Sequence, residues 1–180
     1  LEEVIDNEDG TFTKQLFHAD YTLWVESEVR KLPNQNYQTH GEQKTYHKDG
    51  YLESVETFRN GLKHGKFISY NEKKEVTSEG EFKQDKKVGS WVYYFALSKQ
   101  IQVHETYYDN GNLHGQYRDS HNNGELRARG VMKNGRMDGL WSFYYIDGTQ
   151  EYQIKFDNGI PQDRLTYYGM DGKVKWEKSL

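Results

Sequence analysis

The chain has 180 residues, a formal net charge of −4, no cysteine and two prolines. That length fits one domain or one continuous repeat array, and the missing cysteines exclude disulfides, thiolate metal sites and cysteine nucleophiles. No apolar run approaches the ~18 residues a membrane-spanning helix requires. No basic stripe marks a nucleic-acid binder: residues 1–40 hold eight acidic and three basic side chains, and the rest is nearly balanced.

Aliphatic side chains are scarce, but 15 Tyr, 8 Phe and 4 Trp nearly equal Leu, Ile and Val together. An aromatic ring can bury ~150–250 Å² while keeping a polar end wet. A chain of this kind can fold without a large aliphatic core.

In chain order, residues 1–40 read as an atypical N-terminal cap carrying a degenerate repeat. Asp9-Gly10 precedes Thr11–Phe17 much as Asp49-Gly50 precedes Tyr51–Phe58, and terminal repeats are commonly irregular. Residues 22–31 fit either a strand or a short helix. Leu32-Pro33-Asn34 ends that element, and residues 33–40 read as a loop.

From residue 41 a period of about 24 residues takes over. Gly41, Gly65, Gly89, Gly115 and Gly139 are spaced by 24, 24, 26 and 24, and Asp163 stands where a sixth would fall. With that residue as position zero, position two holds Gln43, Phe67, Trp91, Tyr117, Trp141 and Leu165. Position five holds Tyr46, Tyr70, Tyr94, Ser120, Tyr144 and Tyr168. Turn dipeptides fall at nine (Asp49-Gly50, Asn123-Gly124, Asp147-Gly148, Asp171-Gly172) and at twenty (Asn60-Gly61, Asn110-Gly111, Asn134-Gly135, Asn158-Gly159). Lys73-Lys74 replaces the first kind in the second unit. Position seventeen holds Phe58, Phe82, Tyr108, Met132 and Phe156, allowing for a two-residue insertion in the third unit.

Asn-Gly and Asp-Gly between aromatic and β-branched runs are hairpin signals, because type I′ turns need positive φ at both central residues. About twelve residues per strand and turn leave no room for a crossover helix. The expected fold is therefore all-β: an extended, single-layer antiparallel β-meander of β-hairpin repeats starting near 41, 65, 89, 115, 139 and 163, twisted or curled. If both loops hold two residues, paired positions sum to 17 in one hairpin and 39 in the next. Positions two, four, thirteen, fifteen and seventeen then share an apolar face with Phe67, Trp91, Tyr117 and Trp141. The opposite face carries the position-five tyrosines among Glu53, Glu79, Arg127, Arg129, Glu151, Gln153 and Lys155. An aromatic face in water requires curling, cover by the N-terminal segment, or a partner.

Chemistry-bearing patterns are few. His40, His64 and His114 each precede a position-zero glycine, but equivalent atoms two strands apart lie ~9.5 Å from each other. Zn–N bonds are ~2 Å, so these histidines read as turn and strand-end hydrogen bonders. No HExxH, GxSxG, P-loop or GxGxxG pattern occurs. The expectation is no enzyme, no cofactor and no metal. The repeated tyrosines are the candidate contact residues: Tyr46, Tyr70, Tyr94, Tyr144 and Tyr168, since aromatic rings are enriched at interfaces.

The run Gly139-Leu140-Trp141-Ser142-Phe143-Tyr144-Tyr145-Ile146-Asp147-Gly148, followed by Phe156-Asp157-Asn158-Gly159, resembles the MORN-repeat variant of bacterial YwqK-type antitoxins. It recurs more loosely from Gly65 and Gly89, and the similarity covers about residues 41–178. The resemblance implies a non-catalytic protein that neutralises a toxin by binding it, and it brings no catalytic residues. The alternative is a cell-envelope or carbohydrate-binding module whose aromatic rings stack on sugars or quaternary ammonium groups. Choline- and wall-binding repeats have shorter units, which favours the first reading. A protein partner is expected, with no nucleic acid and no transmembrane segment, and open sheet edges offer a route to self-association. A leader removed before Leu1 predicts a bacterial envelope or periplasmic location; without one, a cytoplasmic location follows.

Overall fold

The computed structural model describes residues 1–95, 100–107 and 110–180. Among these there are strands and turns and no helix. The chain forms two compact units, Leu1–Lys87 and Val88–Leu180. The first holds β1 (Glu2–Asp6), β2 (Phe12–Phe17), β3 (Leu23–Lys31), β4 (Tyr37–Tyr46), β5 (Leu52–Arg59), β6 (Leu62–Tyr70) and β7 (Val76–Lys83). The second begins within β8 (Lys86–Tyr94). It continues through β9 (Ile101–Tyr107), β10 (Gly115–Ser120), β11 (Leu126–Lys133), β12 (Arg136–Tyr144), β13 (Gln150–Asp157), β14 (Ile160–Tyr168) and β15 (Val174–Ser179). Within each unit strands adjacent in sequence are adjacent in the sheet, and each pairing is antiparallel. The expected single-layer antiparallel meander is the architecture of both units.

The turns follow the local chemistry with one difference. At Asn60-Gly61, Asn134-Gly135 and Asn158-Gly159 both residues have positive φ. The flanking pairs are Arg59↔Leu62, Lys133↔Arg136 and Asp157↔Ile160, which are two-residue loops. Gln84-Asp85 adopts the same left-handed pair without glycine. The other loop holds three residues, not the expected two. His47 and Tyr51 close it, the Gly50 N–H donates back to the His47 carbonyl, and Gly50 has φ 83°. This is the three-residue loop with a glycine in the left-handed region.

The longer loop changes the pairing sum by one, and a β-bulge changes it back. Tyr46 pairs with Leu52, but Thr45 pairs with Ser54, so Glu53 is the extra residue. The same skip singles out Thr77, Gln102, Arg127, Glu151 and Lys175. Beyond it the expected pairing holds: Gly41↔Phe58, Gly65↔Phe82, Gly115↔Met132 and Gly139↔Phe156. A second irregularity surrounds position zero, where Phe58↔Lys63 gives way to Glu56↔Phe67, a slip of two residues. Gly65 sits in that slip with φ 106°, which explains a glycine column, and Asp163 takes φ 62° in the same place. A slip of two leaves every side chain on its original face.

Two expectations about facing need correction. A bulge re-aims the extra side chain, and it turns Arg127 toward Asp119 and brings Glu151 to a cavity on the aromatic side. Neither belongs with the charged face. In the third repeat, Tyr107 rather than Tyr108 pairs with Gly89; Tyr108 lies outside the described residues.

Residues 1–40 extend the sheet edgewise as β1–β3 and the start of β4, and do not lie across its face. The ambiguous segment 22–31 is strand β3. Val25, Ser27 and Val29 are its buried residues, a period of two that no helix produces. Strand β4 begins at Tyr37, so the loop expected over 33–40 ends at residue 36.

The apolar side packs through aromatic contacts. Phe67 meets Phe82 edge-on at 5.7 Å, and Phe12 meets Tyr37 at 5.3 Å. Trp91 and Trp141 are the most buried large side chains, each 1 % exposed.

Candidate functional site

Tyr46, Tyr70, Tyr94, Tyr144 and Tyr168 each stand at the strand end where the bulge begins, and all are half-buried. Tyr46 and Tyr70 lie in the first unit and the other three in the second. Tyr46 sits among Glu26, Glu42 and Lys44; burial first, then the Glu26 carboxylate, raises its phenol above the usual tyrosine range. The Arg129 guanidinium lies 5.6 Å from the Tyr144 ring centre. Arg129 pairs with Ser142, two residues before Tyr144, so this tyrosine meets the charged face as expected, but it also lines the cavity on the other side.

The opposite face of the second unit holds a feature that sequence reasoning did not single out. A cavity of about 600 Å³ opens over β10–β13. Its floor is Trp141, whose indole lies flat over Gly130 on the neighbouring strand. The indole N–H donates to the Val131 carbonyl at 3.1 Å, at the point where the β11–β12 ladder skips residues. Tyr117 packs against Trp141 at 5.4 Å, and Phe143 stacks on Tyr152 at 4.3 Å with 15° between planes. Met132 and Met137 complete the apolar wall.

Four charged side chains also line it. Asp119, 4 % exposed, pairs through Oδ2 with Arg127, while its buried Oδ1 has no hydrogen-bond partner. Glu105 accepts a hydrogen bond from the Tyr107 hydroxyl at 2.8 Å. Burial and that contact push the Tyr107 phenol far above its usual range. The Tyr117 phenol is also raised, by burial first and then by the Asp119 and Glu105 carboxylates, with Arg127 opposing. Glu151 is the fourth, so carboxylates outnumber guanidinium three to one.

Part of this was readable. Asp119 occupies position four, on the aromatic face by simple alternation, and pairs with Ala128. Glu105 pairs with Trp91, a relation hidden by the insertion. Arg127 and Glu151 were hidden by the bulge.

Three histidines, His40 of the repeated column among them, bond at turns or strand ends. The Asn60 N–H donates to His40 Nδ1 at 3.4 Å, and the Asp49 N–H donates to His47 Nδ1 at 3.2 Å. His121 Nε2 donates to the Tyr144 carbonyl at 2.8 Å. Among the described residues no group of three or more His, Asp and Glu could hold a metal ion, and no helix is long and apolar enough to cross a membrane. No model of a known protein family matches the chain, and no curated protein matches it.

Proposed function

We propose that this chain is a non-catalytic protein-binding scaffold, of the antitoxin or immunity kind suggested by its resemblance to YwqK-type repeats, which neutralises a toxin by direct contact. The observation that carries the reading is the repeated placement of half-buried tyrosines at one structural position, beside a bulge and among charged side chains. Rings held in that way offer contact area at little entropic cost, as at protein interfaces. The experiment is affinity purification from bacterial extract followed by mass spectrometry, with the wild type and with a Tyr70→Ser, Tyr94→Ser, Tyr144→Ser variant. The expected result is a partner retained by the wild type and lost by a variant whose melting temperature is little changed. Equal retention by both would remove the tyrosine row from the contact.

A second reading, an envelope or carbohydrate-binding module, is favoured by the aromatic cavity with Tyr117, Phe143 and Tyr152. Pull-down on cell-wall polysaccharide separates the two: retention there, without a protein partner, supports this alternative.

A further inference from the structure

The cavity of the second unit meets the tyrosine row only at Tyr144, which lines it, and combines features that the rest of the row lacks. Phe143, Tyr152 and Tyr117 present ring faces and edges around one concavity, above a Trp141 floor that is itself sealed. Flat rings attract cations through their quadrupole, and planar guanidinium groups stack on them better than ammonium groups do. Glu105, Asp119 and Glu151 line the same space against a single resident cation, Arg127, whose charge Asp119 Oδ2 already engages.

The remaining acceptor is decisive. Asp119 Oδ1 is buried without a partner in a residue 4 % exposed. A buried acceptor of a charged group left unbonded costs free energy, so a donor brought to it from outside gains more than the same donor gains at the surface. A sugar hydroxyl is neutral and leaves the carboxylate excess uncompensated; a quaternary ammonium has no hydrogen to donate. A guanidinium supplies charge, donors and a flat face at once.

We propose that this cavity receives an arginine side chain from a polypeptide partner, with its guanidinium stacked among Tyr117, Phe143 and Tyr152 and donating to Asp119 Oδ1. The inference rests on the protein-binding reading for the source of the arginine and adds the anchor chemistry; arginine is among the residues that dominate interface energies.

The test titrates N-acetyl-arginine amide into the intact chain and follows the Trp141 indole N–H resonance, with the uncharged citrulline analogue and the lysine analogue alongside. The expected result is a saturable shift with the arginine probe, at least about tenfold weaker for citrulline and for an Asp119→Asn variant, as for the loss of a charged hydrogen bond. Because Asp119→Asn also releases Arg127, a Glu151→Gln variant is measured in parallel, and it too should weaken binding while its circular dichroism stays that of the wild type. Equal response to arginine and citrulline, tighter binding of lysine, or no saturable shift would overturn the assignment. A partner captured from extract whose retention is untouched by both cavity variants would overturn it too, while leaving the protein-binding reading in place. Because Tyr144 also lines the cavity, the row is separated from it by a Tyr70→Ser, Tyr94→Ser variant, whose loss of the partner concerns the protein-binding reading alone.

Discussion

Trp141 lies on Gly130 so closely that a Cβ at residue 130 would sit 2.3 Å from the indole Cδ2. Gly130 pairs with Tyr117 on its other side, so the missing side chain lets the indole lie flat and reach Tyr117. The contact also places the indole N–H on the Val131 carbonyl, which the skipped ladder leaves for it.

Gly130→Ala should therefore destabilise the second unit by about 2–3 kcal/mol, the upper part of the range for overpacking a filled site. At this chain length that is a fall of about 4–12 °C in melting temperature. Thermal unfolding by circular dichroism checks it, and a fall below about 1 °C would mean that the indole moves aside freely.

Trp91→Ala and Trp141→Ala should each cost about 3–5 kcal/mol, as large-to-small changes at buried aromatic sites do. Trp176, 46 % exposed, stacks on Tyr167 at 5.1 Å and is the control: Trp176→Ala should cost about 1 kcal/mol or less. Denaturant midpoints would rank the three, and equal costs would contradict the facing described here.

Lys74 has φ 61° and its N–H donates to the Asn71 carbonyl at 2.9 Å, the arrangement that Gly50 makes with His47 at 2.8 Å. A lysine there carries left-handed strain of about 1–2 kcal/mol that glycine avoids, while glycine adds about 0.5–1 kcal/mol of unfolded-state entropy. Lys74→Gly should stabilise by roughly 0.5 kcal/mol, and Gly50→Lys should destabilise. Chemical denaturation of the pair checks the opposite signs.

Asp147 accepts from the Thr149 N–H at 2.9 Å. That bond first, and the threonine hydroxyl next, hold its carboxyl below the usual range. Asp9 and Asp20 are lowered in the same way by Thr11 and Thr22, the hydroxyl leading. A folded pKa below the unfolded value near 3.9 gives a contribution that is complete above that value and disappears as pH falls through the folded one. Stability should decline on acidification below about pH 4, with a shallower slope for Asp147→Asn. Melting temperature against pH measures it; an unchanged slope would place the titration elsewhere.

The strand count per repeat and the sharing of a face by Trp141 and Phe156 were legible because both depend on local signals. Asn-Gly pairs impose left-handed turns wherever they stand, and alternation along a strand is geometric. The facing survived a wrong loop length only because the three-residue loop and the bulge at Glu53 offset each other in the pairing sum. No residue type announces that bulge: Glu53, Thr77, Gln102, Arg127, Glu151 and Lys175 are all polar but acidic, neutral and basic in turn, and polar residues fill many other strand positions. The same blindness sent Arg127 to the wrong face and left the cavity unseen.

Repetition along one chain thus sufficed for an all-β meander and for the tyrosine positions, since hairpin chemistry acts over four or five residues. The meeting of Asp119, Glu105 and Arg127 beside Trp141 was settled by ladder registers on β9, β10 and β11. Those registers answer to packing among several strands at once, and a single displaced residue exchanges inward for outward.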